Sequence, residues 1–147
     1  MTSSLPVSER LGSHIKRAEQ ALNAAKLAAV KPAGLTVAQY AALLYLDEKP
    51  GISAAALARL CGVTPPTMNT VLKNLQERGL IERTPHEWHK NVLEITFTEE
   101  GRAAMAAADR RAVRVERALA DAFTDDERVT LAALLDRCVT LLDATRD

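Results

Sequence analysis

The sequence predicts a mainly α-helical fold carrying one small β element. Three observations point there. Apolar residues recur at helical spacing over long stretches, two capping boxes stand ready to open helices, and strand-like alternation is confined to one short region. At 147 residues the chain fits a single domain, 1–147, long enough to bury a core without metal or disulfide help. Hydrophobic residues make up 48% and aromatics only 3%, so Leu, Val, Ile and Ala must build that core. Alanine, the best helix former, dominates several stretches.

The first helix is predicted from about Ser8 to Val30, with Leu11, Ile15, Ala18, Leu22 and Ala25 forming one apolar face. Pro32 and Gly34 end it. Thr36-Val-Ala-Gln39 is a capping box, opening a helix from Val37 to about Lys49 with Tyr40, Leu43, Leu44 and Leu46 inward. Pro50-Gly51 closes that helix, and Ile52 is a candidate for a very short strand. Ser53 can cap a short helix ending near Cys61, with Gly62 supplying the turn. Thr64 can cap the next helix, with Pro65 at its first position, where a missing N–H costs nothing. That helix runs to Arg78-Gly79. Two strands follow, Leu80 to Thr84 and Val92 to Thr98, the second alternating Leu93, Ile95 and Phe97 with Glu94 and Thr96. Pro85 to Asn91 connects them. Thr98 caps a long helix through Ala122, and Thr124-Asp-Asp-Glu127 is a second capping box opening the last.

Charge is balanced, 19 basic against 19 acidic residues, which does not by itself favour a polyanionic partner. Its distribution is uneven. Arg59, Lys73, Arg78, Arg83 and Lys90 outnumber Glu77, Glu82 and Glu87 in the middle of the chain, whereas acids dominate after Phe123. Cys61 and Cys138 lie far apart in apolar helical surroundings, which argues against a disulfide framework and for a reducing, cytoplasmic setting. No apolar run reaches the roughly 20 residues that span a bilayer, so no membrane partner is expected. Phosphate-binding glycine loops, HExxH and CxxC spacings and nucleophile elbows are missing, so no catalytic residues, cofactor or metal site are expected.

The informative segment is Leu57-Ala-Arg-Leu-Cys-Gly62-Val-Thr-Pro-Pro-Thr-Met-Asn-Thr-Val71. Two short helices that cross steeply need a small residue at the crossing, here Ala58, and a turn residue, here Gly62. They also need apolar plugs, supplied by Leu57, Val63, Met68, Val71 and Leu75. With Met68, Val71, Leu72 and Leu75 inward, the second helix presents Thr67, Asn69, Thr70, Lys73 and Asn74 outward. These short donors and acceptors suit base edges and phosphates in a DNA major groove. An amphipathic helix with a merely solvated face is the plainer alternative. A hairpin directly after the pair favours the DNA reading: helix-turn-helix with a β-wing.

Leu35-Thr-x-x-Gln39-Tyr, the segment from Leu57 to Thr67, Leu75-x-x-x-Gly79-Leu-Ile-x-Arg83 and Leu93-x-Ile-Thr-x-Thr98-x-x-Gly101 together resemble the MarR family of transcriptional regulators. The resemblance implies a winged helix-turn-helix at 36–98, with 1–35 and 99–147 as dimerisation helices. It implies a homodimer whose two recognition helices enter successive major grooves of a pseudo-palindromic operator in double-stranded DNA. It also implies repression relieved by a small aromatic or phenolic effector, for which His14 and Tyr40 are the candidate pocket residues. The expected DNA contacts are Ser53, Thr64, Pro66, Thr67, Asn69, Thr70, Lys73 and Asn74, plus His89, Lys90 and Asn91 of the wing.

The chain departs from the family's pattern in two places. Where family wings carry Asp-x-Arg, it has His89-Lys90-Asn91, and Thr70 and Asn74 stand where many members place arginine. Readout would then lean on Asn and Thr, Asn being suited to adenine. Trp88 could wedge at DNA or pack back on the wing. His86 and His89 could bind a metal or be solvated loop residues, and Cys61 could be a redox switch or an apolar plug. Zero net charge and the missing wing arginine motivate a second reading, a small-molecule-binding or protein-interaction module that has lost DNA reading.

Overall fold

A computed structural model describes residues 4–85 and 93–146. In it the chain forms six helices, α1 (Leu11–Val30), α2 (Val37–Glu48), α3 (Ala54–Cys61), α4 (Pro65–Glu77), α5 (Glu99–Asp121) and α6 (Asp125–Ala144). Two strands, β1 (Ile81–Pro85) and β2 (Leu93–Phe97), pair antiparallel, with Ile81 opposite Phe97 and Arg83 opposite Ile95. The order is the one the sequence predicts. Two compact units result, Met1–Ala112 and Val113–Asp147. The division falls within α5.

The first unit holds the core. Leu43, Leu57, Met68, Leu72 and Leu75 have almost no exposed surface, and Val30, Leu35, Leu46, Ile81, Ala108 and Ala112 pack with them. Burying each large side chain contributes about 1.5–3 kcal/mol. Ala58 is fully buried, as a steep crossing of α3 and α4 requires. At the turn, Gly62 adopts φ +67°, a left-handed conformation that glycine enters without strain. Gly101 is fixed for another reason, since a Cβ there would sit 1.9 Å from the Leu80 carbonyl oxygen. That close approach lets the start of α5 lie against the β1 entry. Thr98 secures it by accepting from the Gly101 N–H at 3.0 Å and donating to the Gly79 carbonyl at 2.6 Å.

Element ends differ from the sequence expectation where local hydrogen bonds intervene. The chain before α1 makes a short 3-10 turn at Val7–Glu9, so the helix proper begins at Leu11 instead of Ser8. Leu80 belongs to the stop of α4, its N–H bonding the Leu75 carbonyl at 3.0 Å after Gly79 turns at φ +72°. The first strand therefore starts at Ile81. Ile52 is half-buried and lies outside both strands, so the short strand expected there does not form.

In the second unit, α6 follows its capping box but has no buried residue. Leu131, Leu134 and Leu135 are all 40% exposed or more, and Leu141 and Leu142 more so. The expected apolar face of α1 is equally open at Leu11, Ile15 and Leu22. No single helix among the described residues is long and apolar enough to cross a membrane.

Candidate nucleic-acid interface

Helix α4 is built by its first turn. Thr64 accepts from the Thr67 N–H at 3.3 Å and donates to the Thr67 hydroxyl at 2.9 Å, and Pro65 and Pro66 occupy positions whose N–H groups have no helical partner. One turn on, Thr70 donates to the Pro66 carbonyl at 3.2 Å. Ser53 caps α3 in the same way, accepting from the Ala56 N–H at 3.1 Å. Met68, Leu72 and Leu75 are buried, Val71 is half-buried, and Thr64, Pro66, Thr67, Asn69, Thr70, Lys73 and Asn74 are all exposed. The structure thus brings these seven residues together on one helix and its cap, with Ser53 exposed at the head of α3. Lys73 lies 4.0 Å from Glu77, an exposed i,i+4 pair that offsets part of its charge. His89, Lys90 and Asn91, with His86 and Trp88, lie outside the described residues.

Behind α4 sits a polar cluster that sequence reasoning read only as a helix cap. Gln39 is buried and uses every atom of its carboxamide. Its Oε1 accepts from the Thr36 N–H at 3.0 Å and from the Arg78 guanidinium at 3.1 Å, while its Nε2 donates to Asn74 Oδ1 at 2.7 Å. The Gln39 N–H completes the capping box, donating to Thr36 Oγ1 at 3.1 Å. The capping motif marked Gln39, but its partners are 35 and 39 residues away and have no local signal. Asn74, expected as a freely exposed contact, has half its carboxamide committed.

Next in the chain, Tyr40 donates its hydroxyl to Asp109 of α5 at 2.6 Å. Tyr40 also lines a groove of about 250 Å³ between α1 and α2, with Leu22, Asn23 and Lys26 on one side and Leu44 and Tyr45 on the other. His14 is elsewhere, in an open surface depression beside Arg17, Ala18 and Ala21. Within one copy of the chain the two expected effector residues therefore do not share a cavity. Cys61 is half-buried, and that burial pushes its thiol above the ordinary value, away from the thiolate a redox switch needs. No group of three or more His, Cys, Asp or Glu that could hold a metal occurs among the described residues.

Comparison with known proteins agrees with this arrangement. A model of the MarR family matches residues 33–90. The HTH-type transcriptional repressor Rv2887 of Mycobacterium tuberculosis is 39% identical over 99 residues, 67% of this chain and 71% of the relative. Among solved structures, the transcriptional repressor CouR bound to a 23-mer DNA duplex matches with a TM-score of 0.78 and 33% identity, over 93% of this chain and 99% of that one. Rv2887 in complex with salicylic acid matches with a TM-score of 0.67 and 28% identity, over 94% and 99% of the two chains. With the helix pair, the two-stranded element and the flanking helices all in place, the chain belongs to the MarR family of winged helix-turn-helix transcriptional regulators.

Proposed function

We propose that the chain acts in the cytoplasm as a homodimeric repressor that reads a pseudo-palindromic duplex with α4 and releases it on binding a small aromatic effector. The observation that carries this reading is the exposed face of α4, where Thr67, Asn69, Thr70, Lys73 and Asn74 stand over a fully buried stripe. Rigid seating of a polar helix face is what base readout in a major groove requires. CouR, similar over nearly the whole chain, is seen on a DNA duplex, which supports the same use here. The open apolar faces of α1 and α6 supply the surface that a second copy would cover. Thr67, Asn69, Thr70, Lys73 and Asn74 are the proposed base and phosphate contacts, with Ser53, Thr64 and Pro66 at the backbone and His89, Lys90 and Asn91 in the wing.

The groove lined by Tyr40 is the proposed effector site, and Rv2887 bound to salicylic acid supports an aromatic acid as ligand class. Adjacent residues of α2 couple it to the reading face, since Tyr40 holds α5 through Asp109 and Gln39 holds α4 through Asn74 and Arg78. An effector releases DNA only if it binds better to an arrangement in which the helices are displaced. Titration of salicylate against the protein on a selected duplex tests this. Weakened DNA binding that Tyr40→Ala abolishes supports it, and unchanged affinity under saturating ligand would leave a constitutive repressor.

A further inference from the structure

We propose that Gln39 fixes the hydrogen-bonding polarity of Asn74, turning this recognition-helix residue into a pure donor toward DNA. A backbone N–H and an arginine guanidinium can only donate, and both point at the same Gln39 oxygen, at 3.0 Å from Thr36 and 3.1 Å from Arg78. The other end of the Gln39 carboxamide must then be its NH2 group. What that group meets at 2.7 Å must accept, so it is the Asn74 carbonyl oxygen. An Asn or Gln amide is normally free to flip, but here two obligate donors at one end of the chain decide both.

The consequence lies on the exposed side. Asn74 keeps its NH2 for an outside partner, while its oxygen faces the protein. Bidentate adenine recognition needs an asparagine oxygen for the N6 amino group together with its NH2 for N7. Asn74 cannot offer both without breaking its bond to a buried glutamine, which would leave the Gln39 NH2 unsatisfied. The partner is therefore an acceptor, such as a purine N7, guanine O6, thymine O4 or a phosphate oxygen. This replaces the sequence expectation that asparagine on α4 favours adenine, at this one position.

The inference rests on α4 reading DNA, and the experiment separates the two. Duplexes are selected from a random pool with the wild-type protein, and the preference at each base pair is then measured for Asn74→Ala, Gln39→Glu and Asn74→Asp. Gln39→Glu keeps both acceptor roles toward Thr36 and Arg78 but presents a carboxylate to Asn74, whose amide must flip and turn its oxygen outward. Asn74→Asp reaches the same outward acceptor without touching the buried residue, which guards against a folding defect in the first variant. If Asn74 meets a base, Asn74→Ala flattens the preference at one position per half-site by about tenfold, the scale of a single mismatch. Both polarity variants then shift that position toward bases offering an amino group, adenine or cytosine. If it meets a phosphate, Asn74→Ala weakens all sequences equally and the two polarity variants weaken them further. Either pattern supports the inference. A selected operator bound by Gln39→Glu and Asn74→Asp with both its base preferences and its affinity unchanged would overturn it while leaving DNA reading intact. Failure to enrich any duplex would overturn both.

Discussion

A methyl group at residue 101 would lie 1.9 Å from the Leu80 carbonyl oxygen, with no side chain between that could move aside. Gly101→Ala must therefore push α5 away from the β1 entry, and overpacking of backbone against backbone costs about 3 kcal/mol or more. Denaturant unfolding should show a lowered midpoint, and an unchanged midpoint would mean that the helix start can shift at no cost. Tyr40→Phe is a gentler probe. It removes the 2.6 Å bond to Asp109 and should cost about 1–2 kcal/mol in the same assay. These residues were unequally legible. Gly101 stood out in the sequence only as part of a family pattern, because its contact is 21 positions back along the chain. Asp109 carried no signal at all, being one acid on a long charged helix. Gln39 was visible as a cap, since that role is set by the three-residue spacing to Thr36. Its bonds to Asn74 and Arg78 depend on how α2 and α4 pack.

At the level of elements, helix starts with a side-chain cap are the boundaries that local chemistry predicts best. Thr36, Ser53, Thr64 and Thr124 each accept from an N–H three residues on, as their positions before apolar periodic runs imply. Strand ends shifted by one residue because Leu80 serves the stop of α4 and Thr98 serves the start of α5. Alternation alone does not show such competition. The Thr124 box has a pH signature. Hydrogen bonds from the Thr124 backbone and side chain hold the Glu127 carboxyl below its ordinary value. The stabilisation is thus complete above that ordinary value and is lost as pH falls through the lower folded value. Glu127→Gln should flatten this part of the acid limb in thermal unfolding measured from pH 6 to pH 3, roughly the carboxylate range. A limb identical to wild type would remove the box from the account. In the core of the reading unit, Leu72→Ala should cost about 2–5 kcal/mol, because its side chain is fully enclosed.

For the molecule as a whole, covered and uncovered surfaces are divided unevenly. The first unit seals its core among α2, α3, α4, the strands and the first part of α5, while α6 buries nothing and α1 buries only Ala29 and Val30. Helical periodicity revealed both apolar faces in the sequence, but periodicity says only that a face seeks cover, not what covers it. Covered by a second copy, the chain should sediment as a dimer at micromolar concentration, and Leu135→Asp with Leu142→Asp should dissociate it. A monomeric wild type would contradict the proposed assembly. Charge belongs to this scale too. The sum is zero, and Lys73, the one cation among the proposed α4 contacts, lies beside Glu77. DNA affinity should therefore fall only gently with salt, and Lys73→Ala should reduce the log–log slope by about 0.9 per subunit if it meets a phosphate. A wild-type slope near −10, typical of extensive phosphate contact, would show that bulk charge carries the binding.

The claim on which the rest depends is that the exposed face of α4 reads duplex DNA, and selection of bound duplexes from a random pool tests it most directly. The bound pool should be enriched in an inverted repeat with half-site centres about 10 base pairs apart, lost when Thr67, Asn69 and Asn74 are replaced together by alanine in a protein that still folds. No enrichment, or enrichment that survives the triple replacement, would contradict it.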